Sequence, residues 1–530
     1  MFDIIIRNGT IIDGTKSPRF QADVGIESDR ITAIGNLANA DSKQVIDASN
    51  KIVAPGFVDV HNHSDGWLLK KQHFHAKTSQ GFTTEVIMAD GIGYAPVRPA
   101  NWRDWFFYLR SLDGLRIDEY QGWQSIAEFM DCIDGNNVQN VMTHIPYANL
   151  RANACGFGKQ AVDDFQMRDI QLAIRQGMDE GAVGVSTGID YIVQCYSTTD
   201  ELAEACSAMS EQRGLYVTHV RYKKGLIPGI QEAVEIGRRA KVPVHISHLK
   251  GQSPGEVDKV LSYFDEVRKK VDISFDAYPY QPGSTMLSYL VPYDVWEDGP
   301  LAALAKLGQP EIRRRIRDGL NAYRLETDCI RIAWVASKEN SYLQGKYLSE
   351  YINDSGLPIE EAICNLLIEE RLAVLLVFDE GDDRLVHPIL QHDLHILGSD
   401  GIYFDDGPIH PRVYGSGTRL IGPLVRDAKL FSLEEAVHRL TGRPAERFGM
   451  TNRGVIRENA FADVVVFDPE TVCDRATYDN PHQNSVGIDT VIVNGTDILN
   501  DNQPTVGATK TGERNDESLP GRFLRFHSTG

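Results

Sequence analysis

The sequence predicts an α/β fold, a (β/α)8, TIM-like barrel joined to a small β-sandwich built from both chain termini. Strand-like apolar runs alternate with amphipathic helical patterns over roughly 400 residues, the signature of parallel strands with helical crossovers. Short β-like pieces broken by glycine and polar turns fill residues 1–56 and return after residue 454. Histidines and one aspartate stand where several apolar runs stop, at the C-terminal strand ends where barrel chemistry collects.

In chain order, residues 4–7, 10–12, 23–26, 31–34 and 44–47 read as a small antiparallel sheet, and the same texture at 454–457, 462–467 and 490–495 completes the module from the other end. The boundaries that follow are 1–56 for the first part of the β-domain, 57–453 for the barrel, and 454–530 for the rest of the β-domain and the tail. The apolar run 52–60 is a predicted strand that leads into the barrel and ends at His61. Val141-Met142-Thr143-His144, 181–185 after a helix at 165–180, 215–219 before a helix at 227–239, and 244–248 before a helix at 256–270 continue the alternation. The stretch from Ser284 to about Cys329 reads as an insertion after a Tyr278-Pro279-Tyr280 turn that shapes the acyl pocket. The Gly-rich stretch 407–417 reads as a loop over it. The tail after Asn500 reads as loosely ordered until Phe523-Leu524-Arg525-Phe526, which is expected to dock.

Composition narrows the function classes. With 530 residues, 42% of them apolar, the chain can bury a large core, and its net charge of −20 opposes attraction to nucleic acid or anionic lipid. No apolar segment approaches the ~20 residues of a membrane span. The start, Met1-Phe2-Asp3-Ile4-Ile5-Ile6-Arg7, lacks a basic region followed by a long apolar one, so a cytoplasmic location is expected. Seven scattered cysteines without a CxxC pair read as reduced thiols, Cys195 among them. Composition leaves homo-oligomerisation open.

The chemistry begins at His61-Asn62-His63. Alternate residues of a strand share a face, so both imidazoles can reach one cation, and neutral imidazole suits zinc and its neighbours. Alone the pair is equally a structural one. His219 after Tyr216-Val217-Thr218, His248 after Val244-His245-Ile246-Ser247, and Asp400 in Gly398-Ser399-Asp400-Gly401 change the balance. Five such groups exceed what one structural zinc uses and suit a catalytic centre of one or two metals with open positions. A cation so held acidifies water and polarises a carbonyl, and Asp400 would take the water's proton and pass it to the leaving amine. His73 and His75 fall in a predicted helix. His245 faces away from His248 and reads as core or as support for the ligands.

Motifs run nearly end to end: Gly56-Phe57-Val58-Asp59-Val60-His61-Asn62-His63, Gly81-Phe82-Thr83-Thr84, Ser186-Thr187-Gly188-Ile189-Asp190-Tyr191, Thr218-His219-Val220-Arg221, Ile246-Ser247-His248-Leu249-Lys250, Tyr278-Pro279-Tyr280, Gly398-Ser399-Asp400-Gly401, His410-Pro411-Arg412-Val413-Tyr414-Gly415 and Ala462-Asp463-Val464-Val465-Val466-Phe467-Asp468-Pro469. In this set the chain resembles the N-acyl-D-amino-acid deacylase (D-aminoacylase) family of the amidohydrolase superfamily. The resemblance implies Zn2+-dependent hydrolysis of an acyl amide on a D-amino acid, a small molecule that also carries a carboxylate. One departure stands out. Where the family places a bridging cysteine, this chain has Asp90 in Met88-Ala89-Asp90-Gly91, a harder ligand than thiolate that would widen metal tolerance to other divalent ions. The alternative is that Asp90 only caps a turn.

For the substrate carboxylate the resemblance implies Lys250, Tyr191 and a tyrosine of Tyr278-Pro279-Tyr280. Arg221, Arg412, His410 and Ser284 complete the list of substrate-binding candidates, with ion pairing at the barrel rim as the alternative for Lys250 and the arginines. A cyclic amidohydrolase of hydantoinase or dihydroorotase type is the neighbouring reading. It calls for a carboxylated lysine on the fourth strand, and Gly181-Ala182-Val183-Gly184-Val185-Ser186 has none. A scaffold that has lost its chemistry is the third reading, and the retained ligand set argues against it.

Overall fold

The computed structural model describes residues 1–323, 326–508 and 518–526. Eight parallel strands form the barrel: Phe57–Asp59, Phe82–Ile87, a third split into Asn140–Thr143 and Ile145–Pro146, Val185–Gly188, Tyr216–His219, Val244–Ile246, Ile273–Ala277 and His395–Leu397. Their residues are all buried, as both-side-covered parallel strands require. The ring is distorted at two places. At His144 the third strand changes partner, its N–H donating to Ile87 O at 3.1 Å while Ile145 donates to Gly184 O at 2.8 Å. Closure between the eighth and first strands rests on Val60 N donating to Leu397 O at 3.5 Å and on the pairing of Gly401–Ile402 with Asn62–His63.

Local chemistry sets the helices. Asp163 caps Asp164–Asp179 by accepting from the Phe165 and Gln166 N–H groups, and Ser253 caps Pro254–Val267, whose first turn opens on proline. In Leu226–Ala240, Leu226, Gly229, Ile230, Ala233, Ile236, Gly237 and Ala240 are buried, a stripe at helical spacing that lies over the strands.

Both chain ends build the β-sandwich. A seven-stranded sheet joins Ile52–Pro55 to Val464–Phe467, and a four-stranded sheet comes wholly from the N-terminal end. Ile4, Ile6, Val24, Ile26, Val53, Val464, Val466 and Ile492 share one apolar core between them.

Several expectations are corrected. The fourth strand begins at Val185 rather than Gly181, after Gly181 and Gly184 adopt positive φ. Residues 454–457 form no strand and instead dock on the N-terminal segment, Ile456 N donating to Asp13 O at 3.0 Å. The Gly-rich stretch is a loop only to Pro411, because Arg412–Ile421 is helical. Its glycines serve close packing, since a Cβ on Gly415 would meet the Tyr280 hydroxyl at 2.4 Å. His73 lies outside the short helix His75–Thr78. The insertion runs past Cys329, as Ser284–Met286, Ile330–Val335 and Val374–Phe378 form one antiparallel sheet. Leu524 N donates to Val141 O at 2.8 Å and Phe526 N to Gly181 O at 3.0 Å, so the apolar end docks, while residues 509–517 of the tail lie outside the described residues.

Candidate metal centre

Six side chains meet at the C-terminal mouth of the barrel. His61 and His63 follow the first strand, Asp90 lies in the 3-10 turn Ala89–Gly91 after the second, and His219 ends the fifth. His248 stands just beyond the sixth strand, and Asp400 just beyond the eighth. Asp90 belongs to two groups, one with His61 and His63 and one with His219 and His248, and in each the ligand atoms fall within 4.8 Å of one another. Asp90 Oδ1 is 3.6 Å from His61 Nε2 and 3.8 Å from His248 Nε2, and its Oδ2 is 3.8 Å from His63 Nε2. Asp400 Oδ1 lies 3.3 Å from His63 Nε2 and 3.7 Å from His61 Nε2. His219 Nδ1 and His248 Nε2 are 2.9 Å apart.

The backbone is bent to achieve this. Asp90, His248 and Asp400 take φ of 57°, 37° and 49°, a region that costs a non-glycine residue on the order of 1 kcal/mol or more. Surrounding bonds fix each one. Gln194 Nε2 donates to Asp90 O at 2.8 Å, His248 N to Asp276 Oδ1 at 2.8 Å, and Asp400 N to His61 O at 2.7 Å. A Cβ on Gly398 would lie 2.7 Å from both Asp276 Oδ1 and His61 Cβ, so only glycine lets the eighth strand approach the first this closely. Beneath the centre, buried Lys77 pairs with Asp59 at 2.5 Å and Glu85 at 3.2 Å. Asp59 in turn accepts from Ser399 N at 2.8 Å and His61 N at 3.3 Å, tying both ligand loops to one ion cluster.

Carboxylates stand behind two of the imidazoles. His61 Nδ1 donates to Asp276 Oδ2 at 3.4 Å and His63 Nδ1 to Asp113 Oδ1 at 3.2 Å, so each ring turns Nε2 toward the centre. His245 Nε2 is 3.0 Å from the same Asp276 oxygen, which makes it support for the ligands. Burial would push both ligand imidazoles down, but the carboxylates outweigh it: Asp276, Asp90 and Asp400 raise His61 to about 9, and Asp113 and Asp400 hold His63 well above the usual range. His248 has the Tyr222 hydroxyl 3.2 Å from Nδ1 instead, and burial lowers it to about 4.

His61 Nε2 and Asp90 Oδ1 are buried and have no hydrogen-bond partner. An unpaired buried polar atom costs about 1–3 kcal/mol, and here the unpaired atoms lie 3.6 Å apart, where a bound cation would satisfy both. Imidazole nitrogens and carboxylate oxygens suit a divalent transition metal, and Asp90 reaches both groups. The residues fit a divalent-metal centre.

Above it opens a cavity of about 600 Å³, lined by His63, Asp90, His219, His248 and Asp400 on one side and by residues of the insertion on the other. Tyr191, Lys250, Tyr278 and Ser284 reach it. Lys250 Nζ donates to the Gln281 and Pro282 carbonyls at 2.9 and 2.7 Å, and burial and Arg412 push its pKa well down. Arg412 is one layer back, its Nη1 2.8 Å from Asp400 Oδ2 and bonded to the Tyr278 hydroxyl, with Nε and Nη2 unpartnered. Burial would raise the Asp400 carboxyl, yet Arg412 and His63 hold it well below the usual range.

Three expected substrate residues are corrected. The Arg221 guanidinium is spent on Glu232 at 3.0 Å and on the carbonyls of Ile189, Cys195 and Ser197. Tyr280 donates to Asp474 at 3.1 Å and is covered by Arg419. His410 has Nε2 3.1 Å from Pro282 O and accepts from Arg412 N at 3.0 Å through Nδ1. None of the three lines the cavity.

Asp113, Asp276 and Tyr222 were not legible as site residues in the sequence. Asp276 alone left a signal, a charge inside the apolar strand Ile273–Ala277.

A barrel with two His-rich groups bridged by a carboxylate defines a metal-dependent hydrolase. The amidohydrolase family model matches residues 44–301 and 385–497, leaving out most of the insertion. D-aminoacylase of Alcaligenes xylosoxydans xylosoxydans is 34% identical over 502 residues, 94% of each chain, and the N-acyl-D-glutamate deacylase of the same organism is 32% identical over 99% of this chain and 96% of its own. A crystal structure of N-acyl-D-glutamate deacylase from Bordetella bronchiseptica, complexed with zinc and a phosphonate mimic of the tetrahedral intermediate, superposes with a TM-score of 0.81 at 32% identity, covering 99% of both chains. The chain belongs to the amidohydrolase superfamily, in its D-aminoacylase and N-acyl-D-amino-acid deacylase branch.

Proposed function

We propose that the chain hydrolyses the acyl amide of N-acyl-D-amino acids, with Asp400 as the group that moves the proton. The carrying observation is the placement of Asp400, with Oδ1 3.3 Å from His63 Nε2 and Oδ2 2.8 Å from Arg412, at the floor of a cavity that also presents Lys250. His61, His63, Asp90, His219, His248 and Asp400 would hold one or two divalent ions, zinc by analogy with the zinc-bound relative. When bound, the metal supplies an acidified water and polarises the scissile carbonyl.

Asp400 is kept ionised by Arg412, so its carboxylate is ready to accept a proton from water at neutral pH and to return it to the departing amine nitrogen. Lys250 uses two of its three N–H donors on backbone carbonyls, which leaves one for a substrate carboxylate. That anion would restore the charge that burial opposes. Tyr278, tethered to Arg412, and Tyr191, whose ring is 4.8 Å from that of His219, complete the clamp, and Ser284 borders it. The D preference rests on the relatives. The seven unpaired cysteines accord with a cytoplasmic setting, part of the same proposal.

The test is a panel of N-acyl D- and L-amino acids, with zinc, manganese or cobalt returned to stripped protein. Turnover of the D series with metal present is the expected result. A metal-loaded protein that opens hydantoins and leaves linear N-acyl-D-amino acids intact would overturn the reading.

A further inference from the structure

The cavity over the metal centre has two chemically distinct walls. One carries the centre and Lys250. The other is apolar: Met286, Ile330, Leu376 and Phe378 come from the insertion's antiparallel sheet, and Leu290 follows in the 3-10 turn Leu287–Leu290. An N-acyl amino acid enters such a site with three arms, a carboxylate, an acyl chain and a side chain. The carboxylate has one partner waiting. Among the described residues that line the cavity, Lys250 is the only lysine or arginine.

Neither neighbouring cation is itself part of the lining, although Lys223 packs behind Tyr289, which is. Arg412 lies behind Asp400 and Tyr278, on the carboxylate side. Lys223 Nζ lies over the Tyr289 and Tyr293 rings at 4.4 and 4.1 Å, outside the lining. Glu256 lines the cavity and adds negative charge. A second carboxylate, on an aspartyl or glutamyl side chain, would be desolvated here against Leu, Ile, Met and Phe with no cation to meet it.

We infer that the site selects substrates whose side chain is uncharged and apolar, discriminates against acidic ones, and takes this preference from the insertion, with Leu290 and Thr285 as specificity-determining positions. This rests on the reading above that the site cleaves N-acyl-D-amino acids. Relatives named for D-aspartate and for D-glutamate share about as much sequence with this chain as D-aminoacylase does, so identity leaves the class of side chain open. The wall decides it.

Metal-loaded full-length protein should be assayed on N-acetyl-D-leucine, N-acetyl-D-methionine and N-acetyl-D-phenylalanine against N-acetyl-D-aspartate and N-acetyl-D-glutamate. The expected kcat/KM ratio favours the first three by roughly 100-fold or more. Acidic substrates turned over within tenfold of the apolar ones would overturn the inference and leave the deacylase reading intact. No turnover of any N-acetyl-D-amino acid would instead remove that reading. Leu290 and Thr285 are both partly exposed, so a long cationic side chain fits at either. Leu290→Arg, or Thr285→Lys should the first not fold, is expected to move the acidic-to-apolar ratio by at least about tenfold toward the acidic substrates. An unchanged ratio in a folded, metal-loaded variant would take the specificity away from this wall.

Discussion

The two halves of the metal centre are built differently. His61 and His63 are almost fully buried and each hydrogen-bonds a buried carboxylate, Asp276 or Asp113. His63, His219 and His248 face the cavity; His219 Nε2 has the buried Asp190 carboxylate at 3.7 Å, and His248 has a phenol at 3.2 Å where the first pair has acids in hydrogen-bond reach. A carboxylate behind an imidazole raises its basicity and fixes its ring, whereas a hydroxyl orients it with little added charge. The first half, with two carboxylates in hydrogen-bond reach against one at 3.7 Å, is therefore expected to be the stronger cation site, and in the second both imidazoles rather than one border the cavity.

Six substitutions break or sharpen that contrast. The largest effect belongs to Asp400→Asn, which keeps shape but removes the base: kcat is expected to fall by roughly 10²–10⁴. Metal content measured on the same sample should retain the ion held by the second half. Asp90→Ala comes next, because Asp90 serves both halves. Metal per chain should fall in both, whereas His219→Ala should empty only its own side, and undiminished metal in Asp90→Ala would reduce that residue to a turn former.

Smaller effects test the supporting residues. Asp113→Asn and Asp276→Asn should each weaken metal binding by about 10–100-fold in a chelator competition, and Tyr222→Phe by less than about tenfold. An equal loss in Tyr222→Phe would erase the difference between the halves. The smallest effect concerns an imidazole with no support at all. His144 is fully buried, both ring nitrogens are unpartnered, and burial with His245 and His61 nearby lowers it to about 3. Since the unfolded chain protonates this group near its ordinary 6.5 and the folded one does not, its contribution is intact above pH 6.5 and is lost progressively as pH falls toward 3. Urea midpoints of the parent should therefore drop more steeply between pH 6.5 and 4 than those of His144→Leu, and parallel slopes would refute the assignment.

Much of the site was legible because barrel chemistry follows a one-dimensional rule. A ligand at the end of an apolar strand is visible in sequence, and His61, His63, His219, His248 and Asp400 all obey it. Asp90 was found by its departure from a family motif. The rule failed for groups whose role depends on a neighbour distant in sequence. Arg221, two residues past a ligand, turns to Glu232 in the next helix. Asp113 ends the helix Trp102–Asp113 with nothing local to mark it. The glycines of 407–417 suggested a loop, yet a helix packed tightly against Tyr280 also needs small residues.

The sequence by itself determined the alternation of strands and helices, the shared β-module of the two ends, and the positions of the candidate ligands. These follow from the periodicity of side chains along a strand or helix, and periodicity is a local property. Only the tertiary structure decided which carboxylate supports which imidazole, which cations face the cavity, and how far the insertion reaches. Those are matters of distance between elements remote along the chain, and distance in three dimensions sets every electrostatic and packing energy that tunes the site.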